Sequence, residues 1–316
     1  MKRVSGLIFI LNNGKPAALV RLIMACALLV SPMSRLCAQE KNEIVQTYQK
    51  KASLQLKGLS GSKIQISSGE ADHIEIRLAN YNNPKFEYSI KEEDQTLIIS
   101  EDIIDYNGKE PTPKSKYGWS IVLPIGTHVR ANGATCDVRL IHFSGTWICQ
   151  FAKCDALIEK TKGQIQISAA ELDAKIFDAE GCFDFSAARG DVEAEAINLT
   201  GASTFTTGHG NVEINLSQTV KHDLVVGSSF GRAVLNYQDH PVEGSFEFIA
   251  RADKGKILSP YHFDVEEVFK SDKKQFKKES DFGEMVDYWK KSFVRGNRNP
   301  KITLKAVTGT VELLMK

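Results

Sequence analysis

The sequence predicts an all-β chain, a β-solenoid of about 18-residue coils with one amphipathic helical insertion. Three observations lead there. Asp137, Asp155, Asp173 and Asp191 stand eighteen residues apart, each followed by Val or Ala and a strand-like segment. A nine-residue sub-period runs through the same region, with units starting at Cys136, Gly145, Cys154, Gly163, Leu172, Gly181 and Gly190. Positions three and five of each unit are mostly apolar and position four mostly polar, the alternation of a strand with one buried face. Nine residues hold a short strand and a corner but no crossover helix. Two units therefore make one coil whose strands pair in parallel with their equivalents in the next.

The elements follow in chain order. Arg21 precedes the short apolar run 22–30, which Ser31, Pro32 and Ser34 break before Cys37 and Ala38. A positive flank, a short apolar core and a small residue predict a signal peptide over 1–38, cleaved near Ala38. The run is too short to span a bilayer as a helix. Cys37 also fits an acylated first residue, but Arg35 and Leu36 are bulky for that signal, so simple cleavage is preferred. Residues 39–316 are expected to be a single domain.

Alternating segments at 52–66, 73–78, 86–90, 96–100 and 119–123 predict strands, and 106–118, with Pro111 and Pro113, predicts an exposed loop. Inside the repeat, Val138, Ala156, Ala174 and Val192 are expected to form one interior column. Trp147, Ile165 and Phe183 form another, where total volume matters more than identity. Glycines serve the corners. The register breaks after Asn198, and Gly208, His209 and Gly210 are expected to carry the extra residues in a bulged corner. Strands resume at 212–216, 224–226, 233–237 and 246–249.

Residues 260–300 read as a helical and charged insertion. Phe282, Met285, Val286, Trp289 and Phe293 fall at the spacing of a helix with one apolar face. Lysines at 273, 274, 277 and 278 precede them. This face is expected to cap or brace the coils, whose last member exposes core and strand edge. It also fits a surface for docking a partner or a membrane. The chain then returns to β over 301–314.

LPIG at 123–126, the nonad strands with glycine corners and the closing ITLKAVTGTVEL at 302–313 resemble a widespread family of exported bacterial proteins. Its members are described as putative adhesins, domains of unknown function. The resemblance covers 54–314 apart from the insertion. It implies a right-handed parallel β-solenoid (β-helix) and no catalytic residues, and its adhesin label is itself an analogy.

Composition narrows the function. Among 316 residues, 25% are charged and the net charge is +1, so no strong field points to nucleic acid. No segment of the mature chain could cross a membrane as a helix. Export would place the chain in the periplasm or at the cell surface, where disulfides persist. Cys136 and Cys154 occupy one repeat position, about 4.8 Å apart in a stacked coil. That allows a disulfide, although two small core residues are the favoured reading.

The aspartates 137, 155, 173 and 191 would repel one another unless hydrated or bridged. They read as a cation or ligand stripe, or as corner residues whose side chains bond nearby backbone N–H groups; the second is favoured. No zinc spacing, phosphate loop or nucleophile motif occurs, so no metal, cofactor or catalytic residue is expected. The expectation is a non-enzymatic envelope protein contacting an unidentified protein or glycan. The alternative is a polysaccharide-active β-helix enzyme using the stacked aspartates.

Overall fold

The computed structural model describes residues 43–79, 86–103, 118–270 and 287–316. The expected signal peptide, most of the loop at 106–118, the lysine run at 273–278 and Phe282, Met285 and Val286 lie outside the described residues. Among the described residues, nineteen strands are joined in one sheet. The N-terminal group is β1 (Glu43–Gln49), β2 (Ser53–Gly69), β3 (His73–Ala79), β4 (Phe86–Glu93), β5 (Thr96–Ile103) and β6 (Gly118–Pro124). The repeat supplies β7 (Thr127–Ile141), β8 (Ser144–Glu159), β9 (Lys162–Phe177), β10 (Glu180–Arg189), β11 (Val192–Leu199), β12 (Ser203–His209), β13 (Val212–Leu216) and β14 (Leu224–Asn236). Then come β15 (Gly244–Arg251), β16 (Gly255–Leu258), β17 (Val265–Lys270), β18 (Asp287–Arg295) and β19 (Lys301–Leu314).

The eighteen-residue period is a pairing register. β7, β8 and β9 lie parallel, with Asp137 opposite Asp155 and Asp155 opposite Asp173. β8 pairs with β7 and β9 along its whole length, whereas β9 and β14 each divide one edge between two neighbours. β9 pairs with β10 through its first half and with β11 through its second. β14 likewise takes β12 on its first half and β13 on its second. Left-handed backbone recurs at His142, Lys160, Asp178 and Ala196, with φ of 50–55°. These residues sit eighteen apart and mark a corner that the glycine pattern does not reveal.

The pairing departs from the expected fold class. Strands β9, β10, β12, β14, β13 and β11 form a closed ring of six, each parallel to the next and the last bonded back to the first. Five antiparallel pairings flank it, at β1–β3, β3–β6, β4–β5, β15–β18 and β17–β18. A right-handed solenoid with a helical insertion is therefore the wrong description. Strands that bend and share their halves close the parallel pairing, and short connections favour antiparallel partners outside it.

The helical insertion is absent from the described residues. Trp289 and Phe293 stand in β18, hydrogen-bonded to β15 on one edge and β17 on the other. Phe293 is buried against Phe246, their rings 4.8 Å apart. The spacing of Trp289 and Phe293 is four, which is even, so it satisfies a strand's period of two as well as a helix's 3.6. Two open strand edges settled the choice.

The extra residues after Asn198 also fall elsewhere. Gly181 pairs with Leu199, an offset of eighteen, while Asp184 pairs with Thr204, an offset of twenty. Two residues are thus added between Leu199 and Thr204. His209 stays in register opposite Arg189.

The core is a set of stacked columns. Val138, Ala156, Ala174, Val192, Val212, Ala233 and Val311 are all buried in one column. Beside them Phe183, Phe185 and Phe205 pack, with Phe185 and Phe205 stacked at 5.5 Å. The C-terminal β19 fits between β14 and the pair β15 and β16, all parallel.

Candidate functional site

The second halves of β7, β8, β9 and β14, together with β11 and β13, build one face of the sheet. In each, the residue before the buried column points outward: Asp137, Asp155, Asp173, Asp191, Asn211 and Arg232. Two residues later a second column runs beside it: Arg139, Leu157, Lys175, Glu193 and Glu213 are at least partly exposed, while Val234 at the equivalent position is buried. Both columns line an open groove of about 710 Å³. The four aspartates named from the sequence are therefore brought together, in register, on one surface. Arg232 and Val234 escape sequence reasoning because the offset grows to twenty-one between β13 and β14.

Part of the aspartate column is engaged with backbone. The Asp191 N–H donates to Asp173 Oδ1 at 3.2 Å, Asn211 N–H to Asp191 Oδ1 at 2.6 Å, and Arg232 N–H to Asn211 Oδ1 at 3.0 Å. Asp137 is instead approached by Lys63 at 3.7 Å and Arg139 at 3.9 Å. Lys175 meets Glu193 at 3.6 Å and Arg232 meets Glu312 at 2.9 Å. These exposed pairs add little stability, but they fix the order of charges along the groove. Six carboxylates and three cations line it. The Asp155 carboxyl is pushed above its usual range by partial burial; Lys153 opposes the shift, while Asp173 and Asp137 reinforce it.

The remaining predicted residues lie apart from the groove. Cys136 and Cys154 are register partners inside the core and carry free thiols. His209, on its glycine-flanked corner, stacks on the half-exposed Phe230 at 4.5 Å. Phe293 is core, and Trp289 lies 5.4 Å from the Lys291 ammonium. Among the described residues, no three His, Cys, Asp or Glu side chains converge as a metal-binding group, and no helix is long and apolar enough to cross a membrane.

No family model matches the chain, and no curated protein does. Solved structures are similar to it, among them two bacterial proteins. A putative cell adhesion protein from Clostridium sporogenes is 14% identical with a TM-score of 0.29, over 88% of this chain and 100% of that one. A putative adhesin from Bacteroides fragilis is 12% identical with a TM-score of 0.43, over 87% of this chain and 98% of the other.

Proposed function

We propose that this chain is a non-catalytic binding module of the bacterial cell envelope, adhesin-like in mode, which engages an envelope protein or glycan along the groove. In this reading the segment 1–38 directs export and is removed near Ala38. The observation that carries it is the pair of in-register polar columns over an open groove, with four carboxylates at successive strand positions. Strands about 4.8 Å apart hold those groups on a rigid lattice, so a ligand with repeating polar groups meets several contacts at no ordering cost to the protein. Leu157 adds apolar contact within the same face.

Binding of the purified protein to panels of immobilised envelope glycans and envelope proteins tests this. Asp155→Asn with Asp173→Asn should weaken the ligand found by tenfold or more, with the unfolding transition retained. Equal binding by the double variant would move the contact elsewhere. Release of reducing ends from an acidic polysaccharide, lost in that variant, would replace the reading with an enzymatic one.

A further inference from the structure

The C-terminal hairpin carries an open edge. β17 is hydrogen-bonded to β18 on one side, and among the described residues no strand takes its other side. Every residue of β17 except Phe269 is exposed, with Val265 at 46% and Val268 at 50%. Alternation sets Glu266, Val268 and Lys270 on one face. On that face they stand opposite Lys291, Trp289 and Asp287 of β18, in that order. The Lys291 ammonium lies 2.7 Å from the Glu266 carboxylate and 5.4 Å from the centre of the Trp289 ring. An unpaired edge is a template for another strand. Charges along it keep other strands away unless they meet their opposites, and here the order of charges is complementary to its own reverse.

We infer that two copies of this chain associate through β17, edge to edge and antiparallel, about a two-fold axis at Val268. Such an axis makes the contact self-complementary: position 266 faces position 270, and 270 faces 266. Glu266 then meets the partner's Lys270, Lys270 meets the partner's Glu266, and Val268 meets the partner's Val268 between them. With β18 on each flank, the outer row reads Lys291, Glu266, the partner's Lys270 and the partner's Asp287, alternating in sign across four strands. The middle row reads Trp289, Val268, the partner's Val268 and the partner's Trp289, all apolar. Opposite charges and β-branched side chains set directly across strands favour pairing. On the reverse face Glu267 meets the partner's Phe269, so no like charges face each other. Other registers fail. An axis at Glu266 or Glu267 sets a carboxylate against itself, and one at Phe269 loses the charge match. The edge of β1, which is bonded only to β3 among the described residues, centres on Gln46 and sets Glu43 against Gln49, with no charge match. Self-complementarity therefore selects β17, and selects a second copy over an unrelated strand. The contact lies outside the groove and does not depend on what the groove binds.

One short strand a side is a small contact, so the dimer should be weak, forming between about 1 and about 200 µM. Sedimentation of the purified whole chain over that range is expected to show monomer passing to dimer. Glu266→Lys sets like charges across both ends of the pairing, and Lys270→Glu does the same with the opposite sign. Each alone should weaken association about tenfold or more. An equimolar mixture of the two variants should associate again at near wild-type strength, because each supplies the charge the other lacks. Val268→Lys, at a position in no ion pair, gives a second reading: it sets two ammonium groups face to face at the axis and should abolish the dimer. A wild-type chain that stays monomeric throughout the range would overturn the inference. So would a dimer that survives Val268→Lys, or a mixture of folded charge variants no stronger than either alone.

Discussion

Asp191 Oδ1 accepts the backbone N–H of Asn211, the residue that leads into β13, at 2.6 Å. The same geometry repeats one step to each side, from Asp191 to Asp173 and from Arg232 to Asn211. An amide oxygen does this work as well as a carboxylate, which explains why Asn211 continues the aspartate column. Asp191→Asn should therefore fold with near wild-type stability, while Asp191→Ala loses about 1 kcal/mol because the Asn211 N–H is left to water. Urea midpoints of the two variants decide it. Equal losses would mean that the bond contributes nothing.

Asp155 differs from Asp173 and Asp191, which each accept a backbone N–H from the next strand position, a bond not seen at Asp155 among the described residues. Burial, then Asp173 and Asp137 against the pull of Lys153, raise its carboxyl above the unfolded value. A group whose folded pKa is raised binds its proton more tightly in the folded state. Its stabilising contribution is complete below the unfolded value, about pH 4, and is lost as pH rises through the folded one. Asp155→Asn removes that loss. Relative to wild type the variant should gain stability between about pH 3 and about pH 7, measured by denaturant unfolding along the series. A constant difference across the range would place the carboxyl at its ordinary value.

Much of this arrangement is legible in the sequence. The eighteen-residue spacing of Asp137, Asp155 and Asp173 is the register found in the sheet, and the column from Val138 to Val192 is buried as its alternation requires. These features are local and periodic, and period-two patterning reports directly on which face is buried. What is not legible depends on partners far along the chain. β19 takes its place beside β14 seventy-eight residues earlier, as Ile302 opposite Leu224 shows. Closure of the six-strand ring depends on how β9 and β14 bend, and no residue pattern encodes that bend.

Gly163 is required by its neighbour. Its φ is +128°, and a Cβ added there would collide with the carbonyl oxygen of Gly145, its register partner in β8. Gly126, at φ +84°, would meet nothing within 4 Å. Gly126→Ala should therefore cost only the backbone strain of a left-handed residue, about 1–2 kcal/mol. Gly163→Ala adds a backbone clash in a close-packed stack and should cost more than about 3 kcal/mol, since the β8–β9 spacing must widen. Thermal unfolding of the two variants side by side separates conformational strain from collision. A Gly163→Ala chain no weaker than Gly126→Ala would show that the stack yields easily.

Tyr237 is fully buried among core residues, its ring 6.1 Å from that of Phe246. Its hydroxyl has no hydrogen-bond partner among the described residues. Burial accordingly pushes its ionisation well above the usual phenol range, with Tyr261 and Glu243 adding to the shift. A hydroxyl taken out of water without a partner costs about 1–3 kcal/mol, and the phenol ring keeps its packing when the oxygen is removed. Tyr237→Phe should therefore raise stability by about 1 kcal/mol or leave it unchanged, against the usual trend for a core substitution. Tyr237→Ala should cost about 3–5 kcal/mol through the cavity left behind. Urea unfolding of both variants provides the check. A Tyr237→Phe chain less stable than wild type by 1 kcal/mol or more would mean that the hydroxyl is satisfied in solution, by a trapped water or by a shift of its neighbours.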